Sequence, residues 1–199
     1  MLMRASARRA GFTLIELMIG LAVFALLFMI GLPSFATWMQ STQVRTSSEA
    51  ITLGLHLARS EALRRNRAVQ FTLADTLGAG CLPALSGTNW VVSLVDPTGG
   101  CEVEPSETLA PQIIQKRSGQ EGSPNALVTA TGSSSVVFNG LGRVIGYPAG
   151  GIVIDVTNSR DTCQTAAGPI RCLQVAVSAS GGIRMCDPAV SDVTDPRKC

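Results

Sequence analysis

The chain has 199 residues, with 16 Lys and Arg against 14 Asp and Glu and a formal net charge of +2. This length suffices for an N-terminal helix and one globular domain, but not for two such domains. From residue 68 onward there are 8 basic and 11 acidic residues. This balance excludes a broad nucleic-acid-binding surface, because such a surface is basic.

The first element is an unbroken apolar run over residues 17–32, which follows Glu16 and ends at Pro33. The run predicts a membrane-spanning helix, because about 20 residues at about 1.5 Å rise cover the hydrocarbon layer. A carboxylate costs about 2.5–3.5 kcal/mol at mid-membrane and less near the interface, so Glu16 needs a compensating cation. Cleavage between Gly11 and Phe12 would create a positive amine near Glu16, on the same chain or on a neighbouring subunit. Glu16 is therefore predicted to act in assembly rather than in catalysis.

A secretory signal peptide is the alternative interpretation of this segment. Arg4, Arg8 and Arg9 precede the apolar run, as the basic residues of a signal peptide do. Such a peptide is removed after its apolar part at a small-residue site, and no Ala-x-Ala pattern follows Leu32.

Residues 11–17, Gly-Phe-Thr-Leu-Ile-Glu-Leu, resemble the type III leader of type IV pilins and type II secretion pseudopilins. The resemblance implies that a prepilin peptidase cuts after Gly11 and methylates Phe12, and that the apolar helix stays on the mature protein. The predicted organisation is then a leader over 1–11, a helix over 12–67 and a head over 68–199. Within the helix, 12–34 is expected to cross the inner membrane.

The helix is expected to continue past Pro33, with a bend, to about Asn66. In this second half, small and apolar residues recur at spacings of three and four, while charged residues lie largely on other faces. We expect this amphipathic half to pack one stripe on a sheet. The stripe consists of Val44, Ser48, Ile51, Leu55, Ala58 and Ala62.

Four arginines lie between residues 59 and 67. They are consistent with a nucleic-acid patch, but we favour a solvated helix end whose cations complement the helix dipole and in which Glu61 pairs with Arg64 or Arg65. Residues 57–62, Leu-Ala-Arg-Ser-Glu-Ala, resemble a segment typical of the GspH/FimT/FimU branch of pilin-like proteins.

After the helix, short β-favouring runs alternate with clusters of Gly, Pro, Asn, Asp and Ser. The fold class is therefore predicted to be α+β, with the long helix packed on an antiparallel β-sheet or β-sandwich head. Residues 136–144 are predicted to form a strand and a glycine-rich turn, similar to a hairpin of GspH-like heads. The predicted strands cover 68–73, 90–95, 108–115, 135–139, 151–157, 173–178 and 183–186.

All six cysteines lie after residue 80, which predicts disulfides in an oxidising compartment and hence a periplasmic or extracellular head. The arginines before the span predict the same orientation through the positive-inside rule. Fifteen pairings are possible; we expect sequential pairs because each closes a short loop rich in Gly, Pro, Asp or Ser. These are Cys81 with Cys101, Cys163 with Cys172, and Cys186 with Cys199.

The residues give no indication of catalysis. A zinc site is disfavoured because there is no Cys-x-x-Cys and the single histidine, His56, is distant in sequence from the cysteines. A serine triad would have to use His56, which is expected to be an ordinary, partly packed helix residue. We therefore predict a non-enzyme without cofactor or metal.

The resemblance implies a minor type IV pilin that is extracted from the inner membrane and joins other minor pilins and the major pilin in priming the fibre, which supports twitching motility and adhesion. The C-terminal run from Arg184 to Cys199 resembles the cystine-closed end of FimU-like minor pilins.

Two alternatives remain open. FimT-like proteins bind DNA for natural transformation through a Gly-Arg-x-Arg motif; here the matching positions, 181–184, lack the first arginine. Arg184, Arg197 and Lys198 are the residues that would then meet phosphates, and three charges give weak, salt-sensitive binding. The other alternative is a GspH-type pseudopilin of type II secretion.

Overall fold

The longest element is helix α1, Leu14–Arg65. The computed structural model describes residues 13–199, apart from the side chains of residues 30–33. The chain divides into two units, the first ending at Thr37 and the second comprising Trp38–Cys199. Gly11 and Phe12, at the predicted cleavage site, lie outside the described residues.

The part of α1 in the first unit has an exposed apolar surface. Its most apolar stretch has a mean hydropathy of 2.5, and none of that stretch is buried. By length and composition alone this segment can cross a membrane, a property that signal sequences and buried core helices share. Its exposure distinguishes it from a core helix.

In the second unit, α1 buries the predicted stripe. Val44, Leu55 and the other four stripe residues are at most 1% exposed, so this prediction is confirmed. Gly54 lies on the same face, where a Cβ would meet the Phe71 ring at 2.8 Å. The missing side chain lets Phe71 pack directly on the helix, beside the ring of Trp90 at a centroid distance of 5.6 Å.

The helix ends at Arg65, within one residue of the predicted end, and Asn66 follows it. Asn66 takes a left-handed conformation, with φ 49°. Its N–H donates to Leu63 O, and the next N–H, of Arg67, donates to Ala62 O. This is a Schellman motif, which satisfies two carbonyls that would otherwise lack partners.

Two antiparallel sheets complete the second unit. Their strands are β1 Val69–Ala74, β2 Asn89–Ser93, β3 Ile113–Arg117, β4 Ala126–Thr131, β5 Ser135–Phe138, β6 Val144–Ile145, β7 Ile152–Asn158, β8 Leu173–Val177 and β9 Ile183–Cys186. The strand orders are β3-β2-β1-β5-β6 in one sheet and β4-β7-β8-β9 in the other. The inner faces of the sheets and the helix stripe enclose one large apolar core, and a smaller cluster surrounds Cys81 and Cys101.

The predicted α+β class is correct, but the predicted strands include neither β4 nor the two-residue β6, and the position predicted for β3 is wrong. Small Ala and Thr residues make the alternation of β4 weak in sequence, although alternate residues are buried in the structure. The run predicted at 108–115 begins as a strand only at Ile113, after Pro111, which lacks the N–H that a strand interior requires.

The structure joins the six cysteines in sequential order, in the three pairs expected from the loops between them. The bonds are Cys81–Cys101, Cys163–Cys172 and Cys186–Cys199. The last bond ties the C-terminus to edge strand β9, and a bridge between Asp187 and Lys198 extends this connection.

Candidate functional site

The first turn of α1 places Glu16 in a capping box with Thr13. The Glu16 N–H donates to Thr13 Oγ1 at 3.3 Å, and the Thr13 N–H donates to Glu16 Oε2 at 3.4 Å. This reciprocal arrangement is the Thr-x-x-Glu signature of a helix start. Both hydrogen bonds are long, so the carboxylate is positioned at the helix start while retaining capacity to accept stronger bonds.

Arg59 connects the helix to the tips of both sheets. Its Nε donates to the carbonyl of Gly142 at 3.2 Å, in the turn between β5 and β6. Gly181, in the turn between β8 and β9, packs against the same carbonyl and against Arg59 Nε. Nearby, Val144 N donates to Ala179 O and joins the two turns directly. Arg59 is therefore a structural link and not a solvated cation as predicted.

Arg64 and Arg65, in the last turn of the helix, pair with Glu61 as expected. Glu61 accepts from Arg64 at 2.6 Å and from Arg65 at 2.7 Å, and Arg65 also reaches Glu107 at 2.9 Å. The hydrogen bond from Arg64, with that from Arg65, lowers the pKa of Glu61, although partial burial opposes the shift. Glu61 and Glu107 thus balance the charges of Arg64 and Arg65, which argues against a nucleic-acid patch there.

The three residues predicted to meet DNA phosphates have different surroundings. Arg184 is exposed on β9. Arg197 is held by Asp195 at 2.6 Å, and Lys198 Nζ donates to Ser191 O at 3.2 Å. Two of the three cations are therefore engaged within the C-terminal loop.

A cleft with no counterpart among the sequence predictions lies in the second unit, between α1 residues 38–45 and strands β8 and β9. It has a volume of about 550 Å³. We call it the Arg171 cleft; the residues that line it include Trp38, Arg45, Arg171, Leu173, Met185 and Arg197. The cleft brings together residues from four separate stretches of the chain, which no local sequence signal indicates.

The ion pair of Arg171 and Asp187 forms one wall of this cleft. Arg171 Nε donates to Asp187 Oδ2 at 2.6 Å, and the N–H of Ala189 donates to Oδ1 at 2.9 Å. The Asp187 side chain is only 5% exposed, while that of Arg171 is 43% exposed. The aspartate thus fixes the guanidinium from the buried side.

Within residues 13–199, no cluster of His, Cys, Asp and Glu has the composition of a metal site. His56 is exposed on the outer face of α1, rather than partly packed as its leucine neighbours suggested. Each cysteine in this range is in a disulfide.

The first half of α1 is apolar and exposed and has Glu16 in the capping box at its start, and the second half packs on antiparallel sheets. This arrangement defines a pilin-like subunit. Residues 6–32 match the model of the prokaryotic N-terminal methylation motif, which implies processing by a prepilin peptidase. Residues 47–181 match the family model described as type II transport protein GspH. The chain belongs to this GspH family of type IV pilin-like structural proteins.

Two solved structures are similar to this chain, both of the minor pilin FimU of Pseudomonas aeruginosa. One is 16% identical and covers 74% of this chain and 91% of its own, with a TM-score of 0.48. The other is 18% identical and covers 71% and 90%, with a TM-score of 0.43. No curated protein matches the chain significantly.

Proposed function

We propose that this protein is a minor pilin that primes type IV pilus assembly, after prepilin peptidase has cut between Gly11 and Phe12. Before assembly it spans the inner membrane once, with its head in the periplasm, and afterwards it lies in the fibre. Three disulfides support an oxidising location for the head. Arg4, Arg8 and Arg9 before the span support the same orientation.

The observation that carries this proposal is the geometry of Glu16. An acid in an exposed apolar helix is costly in a bilayer unless a cation meets it. Among the described residues its carboxylate accepts one hydrogen bond, from the Thr13 N–H of the local cap, and at 3.4 Å this bond is long. The N-terminal ammonium of a neighbouring subunit would supply a charge-assisted partner. Assembly then proceeds by packing of apolar helices with Glu16 setting their register.

Glu16→Gln and Glu16→Leu separate this role from capping. Glutamine can preserve the capping box but carries no charge, whereas leucine removes both. We expect both variants to be lost from sheared pili, measured by immunoblot against the membrane-bound pool. Thr13→Val removes the hydroxyl that accepts from the Glu16 N–H and keeps the charge of Glu16, so it is the matched control and should still be incorporated. Normal incorporation of Glu16→Gln would refute the charge-pairing role.

A pseudopilin of type II secretion is the second candidate, and the description of the matching family model favours it. It would use the same assembly chemistry. Deleting the gene distinguishes the two, because a pilus subunit is required for twitching motility and a pseudopilin for exoprotein release. Lost secretion with normal motility would reverse our choice.

DNA binding is a less favoured role. Its support is exposed Arg184, but Arg197 and Lys198 are engaged in the C-terminal loop. The excess of acidic residues from residue 68 onward also opposes it. A gel-shift assay with duplex DNA at low salt tests this role, and we expect no retention.

A further inference from the structure

Strand β9 forms an edge of its sheet. It pairs only with β8 and stands last in the order β4-β7-β8-β9. The opposite edge strand, β4, is covered by residues 85–87, which form hydrogen bonds with Val128 and Ala130. On β9 the comparable cover is limited to Asp187, whose N–H donates to Arg197 O at 2.7 Å. Among the described residues, the edge of β9 is thus open before Asp187.

The ladder register decides which backbone groups of β9 point outward. Ser178 N donates to Gly182 O at 2.8 Å, so this pair beside the β8–β9 turn is hydrogen-bonded. In an antiparallel ladder, such pairs alternate with pairs that exchange no hydrogen bonds. Ile183 and Met185 belong to the second kind, so their N–H and C=O groups point away from β8. Asp187 follows the same alternation, since its N–H donates outward to the C-terminal loop.

The Arg171 cleft lies along this edge, because Met185 of β9 lines it. Trp38, Leu173 and Met185 supply its apolar lining. Each of the three arginines that line the cleft is paired with a carboxylate, so the cleft has no excess charge and suits a neutral, apolar side chain better than an ion. The pairs are Arg45 with Glu49, Arg171 with Asp187, and Arg197 with Asp195.

A strand added to this edge would place its side chains on both faces of the sheet. The residue opposite Met185 lies on the same face as Met185, and therefore beside the cleft. The next residue lies opposite Arg184, which is exposed and forms no ion pair within the described part of the chain. A carboxylate at that position would complement the arginine.

The same arginine disfavours a second copy of this chain as the added strand. Two β9 edges can pair outward groups over their full length only in the antiparallel register that joins Ile183 to Met185. That register places the two Arg184 side chains directly opposite each other, and like charges in this position are destabilising.

We propose that the open edge of β9 binds an extended segment of a partner protein as a further antiparallel strand. Both N–H and both C=O groups of Ile183 and Met185 pair with the segment. An apolar side chain of the segment enters the Arg171 cleft, and a carboxylate lies opposite Arg184. The inference concerns the second unit alone and goes beyond the priming role.

A short peptide tests this with the full chain in detergent micelles. The probe is acetyl-Thr-Leu-Glu-Val-Thr-amide, whose Leu, Glu and Val lie opposite Met185, Arg184 and Ile183. Amide hydrogen exchange followed by NMR is the measurement. In the chain alone, we expect fast exchange at Ile183 and Met185 and slow exchange at Arg184 and Cys186. At about ten times its dissociation constant, the peptide should slow exchange at Ile183 and Met185 about tenfold, because these amides then exchange only from the free chain.

Two N-methylated peptides are the matched controls. A methyl group on the Leu nitrogen removes the donor to the Met185 carbonyl, so binding should be lost. A methyl group on the Glu nitrogen points away from β9, so binding should persist. Replacing the Leu of the peptide by Gln should weaken binding about tenfold, because the side chain enters an apolar lining.

Arg184→Glu tests the charge pair, and its exposed position leaves the fold intact. This variant should bind the peptide about fivefold more weakly, and replacing the Glu of the peptide by Lys should restore the affinity. Slow exchange at Ile183 and Met185 in the chain alone would overturn the open edge, and slowing that grows with protein concentration would identify a second copy as the occupant instead. Unchanged exchange with millimolar peptide, or equal binding of the two N-methylated peptides, would overturn the strand addition. None of these results bears on the role of Glu16.

Discussion

Replacing Gly181 by alanine tests whether the tips of the two sheets are held together through Arg59. Gly181 has φ +82°, and a Cβ there would overlap the carbonyl oxygen of Gly142, closer than the 3.0 Å that real contacts keep. Gly146 also has positive φ, +65°, but open space around its Cβ position. Gly146→Ala therefore measures backbone strain alone, whereas Gly181→Ala measures the same strain together with the close approach of the two turns.

The left-handed conformation costs an alanine about 1–2 kcal/mol, which is the full effect expected for Gly146→Ala. In Gly181→Ala the turns must also move apart, which adds about 1–3 kcal/mol of overpacking strain. The Arg59–Gly142 hydrogen bond, at 3.2 Å, is lost or lengthened in the process. We expect Gly181→Ala to destabilise the second unit by about 2–5 kcal/mol in total.

Guanidinium unfolding of the full chain in detergent micelles measures this difference in free energy, with the fluorescence of buried Trp90 as the signal. In a thermal melt followed by the same signal, each kcal/mol should lower the melting temperature by about 2–4 °C for a unit of this size. Equal destabilisation by Gly181→Ala and Gly146→Ala would refute the close approach of the two turns as a source of stability.

Three further changes probe the core, the helix end and the C-terminal loop. Leu55→Ala removes a side chain that is 0% exposed and should cost about 2–5 kcal/mol in guanidinium unfolding, whereas Leu53→Ala, at 66% exposure, should be nearly neutral. Glu61→Gln breaks ion pairs that are partly exposed and should cost no more than about 1 kcal/mol, with the loss vanishing as salt is raised. Hydrogen bonds from Arg197 lower the pKa of Asp195 to about 2. The pair should therefore contribute its stability fully above pH 3.8, the ordinary value, and lose it as the pH falls through about 2, which a carboxyl-carbon NMR titration can follow.

Each of these has a contradicting outcome. Comparable losses for Leu55→Ala and Leu53→Ala would contradict the assignment of the buried stripe. A salt-independent loss in Glu61→Gln would mean that packing, not charge, explains its effect. A titration midpoint of the Asp195 carboxyl group near its ordinary pKa would mean that Arg197 does not contact Asp195 in solution.

The elements that the sequence predicted best have local causes. The stripe from Val44 to Ala62 follows helical periodicity, and Asn66 ends the helix through a turn of its own neighbours. Ile183–Cys186 was predicted with the bounds it has in the structure, because apolar residues there are flanked by glycines and Asp-Pro.

Predictions were less successful where the structure or exposure of a residue depends on contacts with residues that are distant in sequence. The strand Ala126–Thr131 has weak β-propensity and is fixed by pairing with β7 over six positions. Arg59 resembles a solvated cation in sequence, yet the carbonyl it binds lies 83 residues away. His56 was expected to be partly packed, but its place on the outer face of α1 exposes it.

The amino-acid sequence by itself determined the apolar helix, the acid within it, the buried stripe and the class of fold, because these depend on composition and on spacing between near neighbours. Only the tertiary structure decided the link through Arg59 and the Arg171 cleft. Both are made by residues that are remote in sequence, and their approach is set by how the two sheets and the helix pack.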